Sequence, residues 1–254
     1  MTGKLSVVGL GPGSPQQLTP EAEEAVRTAD DLFGYGPYLD RIPARPTQRR
    51  HVSDNRQEIQ RAAAALKAAT EGRTVAIVSG GDPGVFGMAA AVCEAMEHGP
   101  AEWRQVEVAI IPGVSAMLAV AARVGAPLGH DFCAISLSDN LKPWPLIEQR
   151  LELAATAGFV IALYNPISRA RPWQLDRALE KLRTVLPEAT PVVFGRAAGR
   201  PDERIAVARL SDARGSDADM ATCIIVGSAK TRLVERPGGT PLVYTPRGTS
   251  RPAA

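Results

Sequence analysis

Short apolar runs alternate with longer amphipathic stretches along most of the chain, and these patterns predict strands and helices in turn. Residues 74–78 are a continuous run rich in β-branched side chains, which is typical of a strand covered on both faces. Similar runs predict strands at residues 5–10, 30–35, 106–111, 132–137, 159–164, 192–195, 205–209, 222–226 and 242–245. The alternation predicts an α/β fold with parallel strands.

Helix signals lie between the predicted strands. Thr19 and Pro20 have the residue types of a helix cap and a first helical position. Asp54 is expected to cap a helix that ends before Gly72. Further helices are predicted over residues 86–97, 117–124, 144–157 and 171–186.

The alternation pauses once, around residues 125–129, where glycine and proline are dense. We place a domain boundary there. The predicted organisation is two α/β domains, residues 1–124 and 125–246, followed by a flexible tail over residues 247–254.

Three predicted strands in the first half run into turns rich in glycine and proline. The first turn is Gly11-Pro-Gly-Ser-Pro15, which continues the run Gly9-Leu-Gly-Pro-Gly13. The other two are Gly80-Gly-Asp-Pro-Gly-Val-Phe86 and Pro112-Gly-Val-Ser-Ala116. Glycine allows backbone to approach a ligand closely, and open parallel sheets bind ligands at the carboxyl edge of their strands. The turns therefore predict one shared pocket. Its prominent carboxylate, Asp82, either faces a cationic group of a ligand or caps the following helix.

Composition narrows the function classes. The formal net charge of the 254-residue chain is +2, which is too mild to indicate nucleic-acid binding. No apolar run approaches the roughly 18 residues of a membrane helix, and the first residues lack a signal-peptide pattern, so we expect a cytoplasmic protein that does not span a membrane. Neither the three cysteines nor the three histidines have metal-ligand spacing, and no metal site is expected.

Arginines are locally dense despite the mild net charge. Residues 41–56 are expected to form a basic loop that is either plain solvated surface or a rim for ligand carboxylates, and a second group lies at Arg169, Arg171, Arg196 and Arg200. No nucleophile elbow or phosphate-binding loop is present in the sequence. A pocket of backbone groups with few acid-base residues suits a cofactor that brings its own reactivity.

Together with Leu18-Thr-Pro20, the three turns resemble those of the tetrapyrrole methylases of corrin and sirohaem synthesis, in an order that covers the chain almost end to end. Further segments are similar to those of the ring-contracting branch of that family. They are Gly34-Tyr-Gly-Pro-Tyr-Leu-Asp40, Ser136-Leu-Ser-Asp139, Tyr164-Asn-Pro166 and the segment over residues 195–203.

The resemblance implies a homodimeric C-methyltransferase of cobalamin biosynthesis. S-adenosylmethionine would bind in a cleft between the two α/β domains, and the substrate would be a polycarboxylate tetrapyrrole. The cofactor contacts implied by matching position are Pro12, Gly80, Gly81, Asp82, Val85, Ser115, Ala116, Tyr164, Asn165 and Ala197. A metal-free or a cobalt-containing substrate, and a non-catalytic tetrapyrrole- or nucleotide-binding protein, remain alternatives.

The sequence indicates the substrate-binding and acid-base residues less sharply than the cofactor contacts. The candidate substrate contacts are Tyr35, Arg49, Arg50, Arg196 and Arg200. Ring contraction requires a proton to leave a hydroxyl group, and the candidate bases are Asp139, His130 and Asp40. The sequence does not choose between them, and the alternative role of His130 is that of a hydrogen-bonded residue at the surface or the domain boundary.

Overall fold

The computed structural model describes residues 3–168, 170–237 and 240–248. The chain divides into two compact units, with the division between Ala116 and Met117. The boundary expected after residue 124 lies farther along the chain and stays a prediction. Arg169 and residues 249–254 of the expected tail lie outside the described residues.

The first unit is built on a five-stranded sheet in which every neighbouring pair is parallel. Its strands are β1 (Lys4–Gly9), β2 (Asp31–Tyr35), β3 (Arg49–Ser53), β4 (Thr74–Ser79) and β5 (Glu107–Ile111), in the order β3-β2-β4-β1-β5. Its helices are α1 (Pro20–Thr28), α2 (Gly36–Leu39), α3 (Glu58–Thr70) and α4 (Met88–His98). Strands β1 and β4 are buried almost throughout, as their continuous apolar runs predicted.

Two local expectations in this unit are wrong. Residues 49–53 form strand β3 and not a basic loop. An edge strand needs no apolar run, since most of its side chains face solvent, and the sequence pattern therefore gave no strand signal. Helix α3 begins at Glu58 after Gln57, so Asp54 is not its cap. The carboxylate of Asp54 instead accepts a hydrogen bond from the backbone N–H of Asn55.

The second unit has a mixed five-stranded sheet and a small three-stranded one. The strands are β6 (Gly125–Ala126), β7 (Phe132–Ser136), β8 (Val160–Tyr164), β9 (Pro191–Arg196), β10 (Arg204–Arg209), β11 (Thr222–Val226), β12 (Arg232–Val234) and β13 (Leu242–Tyr244). The larger sheet has the order β10-β9-β11-β8-β7 and the smaller one β12-β13-β6. The helices are α5 (Ala116–Val124), α6 (Trp144–Thr156) and α7 (Gln174–Arg183).

Strand directions in the larger sheet decide which loops share an edge. Strands β7 and β8 are parallel, whereas β11 is antiparallel to both β8 and β9. Strands β7, β8 and β9 therefore all run in the same direction, and their carboxyl ends lie at one edge. Both five-stranded sheets pack against helices with apolar faces, and the predicted α/β class is confirmed. Among the helices of the described residues, none has the length and apolar character needed to cross a membrane.

Candidate functional site

The first two glycine turns are hydrogen-bonded to each other. Strands β1 and β4 are parallel neighbours, so the turns that follow them lie at the same edge of the sheet. The backbone N–H of Gly11 donates to the carbonyl of Gly81 at 3.1 Å, and the N–H of Gly81 donates to the carbonyl of Gly11 at 2.9 Å. Both glycines have φ of 66°, a left-handed conformation that glycine adopts without strain.

Asp82 ties the second turn to the third. Its Oδ1 accepts from the backbone N–H of Gly84 at 2.8 Å, and its Oδ2 accepts from the N–H of Gly113 at 3.0 Å. Helix α4 begins at Met88 after Gly87, so Asp82 does not cap it. The structure thus brings the three turns together, with a half-buried carboxylate at their junction.

Glycine is required where the turns approach most closely. A Cβ atom on Gly113 would lie 2.3 Å from the carbonyl oxygen of Gly81, and one on Gly9 would lie 2.7 Å from the backbone nitrogen of Gly113. At Gly81 the situation is different, because the nearest atom to an added Cβ is the nitrogen of Ala116 at 3.8 Å. The position of the missing Cβ at Gly81 therefore has room for one atom in ordinary van der Waals contact with the third turn.

An aromatic side chain covers Gly80. A Cβ on Gly80 would lie 2.7 Å from Cζ of Tyr38, and the ring of Tyr38 meets that of Tyr35 edge to face, with centroids 5.6 Å apart. Tyr35 was a predicted substrate contact, whereas sequence reasoning did not single out Tyr38. The two closely spaced tyrosines beside a glycine turn were the signal that could have found it.

The other candidate cofactor residues of this unit surround the turns. Pro12 is buried immediately after Gly11, and Val85 is half-buried in the second turn. Ser115 is buried, with its Cα 3.9 Å from the position of a Cβ on Gly81. All seven candidates from the first unit, Pro12, Gly80, Gly81, Asp82, Val85, Ser115 and Ala116, belong to the turns or to the residues that directly follow them.

Two candidates in the second unit have strained backbones. Asn165 follows β8 with φ of 51°, and Ala197 follows β9 with φ of 50°. Because β8 and β9 run in the same direction, these two residues lie at one edge of the second sheet. Left-handed non-glycine residues cost free energy and cluster at functional sites. The only other such residue in the described part of the chain is Phe86, at the end of the second turn.

Neighbouring groups hold these strained residues in place. The side-chain amide of Asn165 donates to Oγ of Ser136 at 2.9 Å, and the N–H of Ala197 donates to the carbonyl of Ala221 at 3.0 Å. The hydroxyl of Tyr164 accepts from the backbone N–H of Met117 at 3.1 Å. These bonds stabilise the edge to which Tyr164, Asn165 and Ala197 belong.

Asp139 is paired with a cation. Arg171 donates from its guanidinium to Oδ1 of Asp139, and Nε2 of Gln174 donates to the same oxygen at 3.0 Å. Gln174 is 1% exposed and also donates to the carbonyl of Leu137, so its position is fixed. These two donors occupy Oδ1 of Asp139, so that oxygen is already engaged within the loop. Gln174 was not identified from the sequence, because its side chain has no distinctive motif.

The other two candidate bases differ in their surroundings. Nδ1 of His130 accepts from the backbone N–H of Asp131 at 2.7 Å. The Nδ1 atom of His130 is therefore engaged by the residue that follows it in the chain. Asp40 is exposed at the end of α2, where its backbone N–H donates to the carbonyl of Gly36.

Arg50 donates to main-chain carbonyls and so organises the loop that precedes it. Its guanidinium reaches the carbonyls of Leu39 at 3.0 Å and of Ile42 and Pro43 at 2.8 Å each. Arg49 lies on exposed β3 with its Nε 3.8 Å from the buried carboxylate of Asp31. The substrate contacts expected of Arg49 and Arg50 stay predictions.

Arg196 lies between two carboxylates. It donates to Asp202 at 2.6 Å and to Asp219 at 2.7 Å, and its hydrogen bond to Asp202 lowers the pKa of that carboxyl group. The backbone N–H of Arg200 donates to the carbonyl of Ala197. Arg196 and Arg200 therefore belong to the loop that carries the strained Ala197, and their substrate contacts also stay predictions.

The described side chains offer neither a metal site nor a reactive thiol at Cys223. Within residues 3–168, 170–237 and 240–248, no three His, Cys, Asp or Glu side chains form a group that could hold a metal ion. Cys223 is buried on β11, and burial raises the pKa of its thiol to about 12 against an opposing hydrogen bond from Tyr164. That thiol is neutral at physiological pH and is a poor nucleophile.

Comparisons with known proteins agree with the fold and the turns. A family model described as Tetrapyrrole (Corrin/Porphyrin) Methylases matches residues 4–214. The chain is 68% identical over 247 residues to a precorrin-3B C(17)-methyltransferase of Sinorhizobium sp, with 97% of each chain covered. It is 41% identical over 245 residues to a probable cobalt-factor III C(17)-methyltransferase of Salmonella typhimurium, covering 96% of this chain and 98% of that protein.

A solved structure has the same architecture over nearly the whole chain. The crystal structure of the methyltransferase CobJ matches with a TM-score of 0.91 and 50% sequence identity, covering 96% of this chain and 100% of that one. The family model extends from β1 into the second unit, and it includes all three glycine turns and the strained loops after β8 and β9. The chain belongs to the tetrapyrrole (corrin/porphyrin) methylases.

Proposed function

We propose that this protein is an S-adenosylmethionine-dependent C-methyltransferase of cobalamin biosynthesis. Its reaction methylates precorrin-3B at C-17 and contracts the ring to give precorrin-4. The observation that carries the proposal is the junction of the three glycine turns through the Gly11–Gly81 pair and the Asp82 carboxylate. The relative from Sinorhizobium, 68% identical over almost the full length, supports the choice of reaction.

The first-unit turns fit the cofactor. Gly81 offers bare backbone with no protein atom closer than 3.8 Å to its missing Cβ, so a ligand can lie against the peptide there. Asp82 supplies a half-buried negative charge, and S-adenosylmethionine carries positive charge on its ammonium and sulfonium groups. The side chains of Ser115 and Ala116 are small and leave room for the body of the cofactor. Contacts from Tyr164, Asn165 and Ala197 are part of the same proposal.

The chemistry divides between cofactor and protein. When bound, S-adenosylmethionine supplies an electrophilic methyl group, and a pyrrole carbon of the substrate is already electron-rich. The protein's task is to hold the two reactants in line, which can supply much of the rate acceleration. Rigid turns joined by hydrogen bonds suit that task, because their backbone geometry does not have to reorganise during the reaction.

Ring contraction additionally needs a group that accepts a proton. Asp40 is exposed and is the candidate whose surroundings least oppose this role, since Asp139 is ion-paired and His130 accepts at Nδ1. Asp40→Asn is expected to leave affinity for S-adenosylhomocysteine unchanged and to slow contraction by about 100-fold. Mass spectrometry and visible spectra of the products formed by Asp40→Asn and by Asp139→Asn would show which of the two carboxylates is needed for ring contraction. Normal contraction by Asp40→Asn would exclude Asp40 as the base.

The direct test is turnover. Incubation with precorrin-3B and methyl-labelled S-adenosylmethionine should give labelled, ring-contracted product. The cobalt-containing substrate is the rival, since one relative is described as acting on cobalt-factor III. Assaying both substrates at equal concentration separates the two, and turnover of the cobalt form alone would overturn the choice of precorrin-3B.

A non-catalytic binding protein is the rival from a different class. Calorimetry with S-adenosylhomocysteine and with NAD tests this alternative, because a methyltransferase is expected to bind S-adenosylhomocysteine tightly and a nucleotide-binding protein is not. Binding of NAD alone would contradict the cofactor assignment. The homodimer and the cytoplasmic location implied by resemblance and sequence stay predictions, which light scattering and cell fractionation test respectively.

A further inference from the structure

Arg41 contacts the backbone of the first glycine turn. It follows α2, and its half-buried guanidinium donates to the carbonyl of Leu10 at 2.7 Å and, from both terminal nitrogens, to the carbonyl of Gly11 at 3.1 Å. The carbonyl of Gly11 is also the acceptor for the N–H of Gly81. One carbonyl oxygen therefore receives hydrogen bonds from both the arginine and the second turn.

This geometry distinguishes Arg41 from a surface cation that awaits a ligand. A planar guanidinium holds its donors in a fixed fork, so bonding to two successive carbonyls fixes the orientation of both peptide groups. Charge-assisted hydrogen bonds are also stronger than neutral ones. The first turn is thereby held in the left-handed conformation that pairs Gly11 with Gly81, and Gly81 directly precedes Asp82.

We propose that Arg41 is a positioning residue for the cofactor site. It acts through the Gly11–Gly81 pair to set the backbone of the second turn, and its effect is on binding of the methyl donor. The alternative role for Arg41, expected from the basic segment over residues 41–56, is to bind a carboxylate of the tetrapyrrole directly. The inference rests on the proposed function, because it takes the second turn to be the cofactor site.

A cavity of about 410 Å³ adjoins this arginine. Leu10, Gly13, Leu18, Arg41 and Ile42 are among the residues that line it. The volume lies within the range of pockets that bind small molecules, so we expect a small guanidinium added to the solution to reach the place of a deleted Arg41 side chain. The cavity thus makes chemical rescue a usable test.

The matched control is Arg45, which lines the same cavity from the same loop. Its side chain is exposed, and its backbone carbonyl accepts from the N–H of Gln48. Arg41 and Arg45 therefore carry the same charge into the same region. Of the two, Arg41 alone donates hydrogen bonds to the glycine turn among the residues that the structure describes. Replacing either one changes the net charge equally.

The experiment compares Arg41→Ala, Arg41→Lys and Arg45→Ala. Calorimetry with S-adenosylhomocysteine should show a dissociation constant raised about tenfold or more in both Arg41 variants, since a lysine cannot reproduce the fork, and unchanged in Arg45→Ala. In turnover assays, KM for S-adenosylmethionine should rise while KM for the tetrapyrrole stays within about twofold. Methylguanidinium in the millimolar range should restore part of the affinity of Arg41→Ala.

The inference is overturned if the Arg41 variants lose affinity for the tetrapyrrole and not for the cofactor. A raised KM for the tetrapyrrole with unchanged affinity for S-adenosylhomocysteine would make Arg41 a substrate ligand. Should Arg41→Ala fail to fold, Arg41→Lys carries the same measurements, and normal cofactor affinity in that variant would also contradict the proposal. Failure of the unaltered protein to bind S-adenosylhomocysteine would refute the proposed function itself, which is a separate outcome.

Discussion

The carboxylate of Asp82 and the backbone N–H of Gly113 are joined by a hydrogen bond of 3.0 Å between turns that follow different strands. The other carboxylate oxygen accepts from Gly84, within the turn that Asp82 itself belongs to. One side chain therefore supports the local turn and also sets the spacing to its neighbour. This dual role makes Asp82 structural as well as a proposed partner for the charge of the cofactor.

Replacing Asp82 by asparagine should weaken both roles. An asparagine has one acceptor oxygen, and its NH₂ group would face one of the two backbone donors. We expect Asp82→Asn to bind S-adenosylhomocysteine at least about tenfold more weakly and to lose roughly 1–3 kcal/mol of stability. Calorimetry and urea unfolding measure the two effects. Asp212→Asn, an exposed aspartate, is the control, and unchanged cofactor affinity in Asp82→Asn would leave only the structural role.

Gly113→Ala should disrupt the junction sterically. The new Cβ would lie 2.3 Å from the carbonyl oxygen of Gly81, a distance that forces the third turn away from the second. We expect the free energy of unfolding to fall by at least about 2 kcal/mol. We also expect the variant to lose cofactor binding. Gly36→Ala is the matched control, because its Cβ would meet only Val52 at 3.6 Å. Equal stability of the two variants in urea would argue against the close approach.

The positions of these turns could be predicted from sequence because each follows a strongly apolar strand. Runs such as residues 74–78 identify parallel strands, and parallel neighbours place their turns at one edge. What joins the turns could not be predicted. The Asp82–Gly113 bond and the reach of Arg41 to Leu10 and Gly11 link residues about 30 positions apart, and neither has a local sequence signal.

Strands β3, β6 and β12 were not predicted from the sequence, and each lies at an edge of its sheet. Strand β3 consists mainly of exposed polar residues, and β6 has only two residues, so neither shows an apolar period. The hydrogen bonds of the arginines could not be predicted either. Charge density at residues 41–56 suggested a surface rim, whereas Arg41 and Arg50 bond to main-chain carbonyls that no sequence pattern reveals.

Ala197→Gly should make the protein more stable. Ala197 has φ of 50°, where glycine avoids the crowding of a Cβ atom. The left-handed conformation costs a non-glycine residue roughly 1–2 kcal/mol. The greater conformational entropy lost by glycine offsets roughly 0.5–1 kcal/mol of that relief, so we expect a net gain of roughly 0.5–1 kcal/mol in the free energy of unfolding. If Ala197 contacts the cofactor as proposed, affinity for S-adenosylhomocysteine should fall in the same variant. Urea unfolding and calorimetry test the pair of effects, and a less stable variant would show that the loop is not strained.

Cys223 should make stability sensitive to alkaline pH. Burial raises the pKa of its thiol from 9.0 to about 12, so between these values the unfolded chain loses a proton that the folded protein retains. Stability is therefore unaffected by this group below pH 9 and falls above it, by at most about 1.4 kcal/mol per pH unit. Urea unfolding between pH 8 and 11 should show a shallower decline in Cys223→Ala. Equal slopes would contradict the buried, neutral thiol.

The glycines at the junction have a consequence for engineering. Gly9 and Gly113 cannot accept a side chain without separating the loops they join, so mutagenesis that seeks a new acceptor molecule has no freedom at those positions. Useful diversity has to come from elsewhere, such as Tyr35 or the loop that holds Asp139. If these residues contact the substrate as proposed, a library built on them would vary the choice of acceptor without touching Gly9 or Gly113.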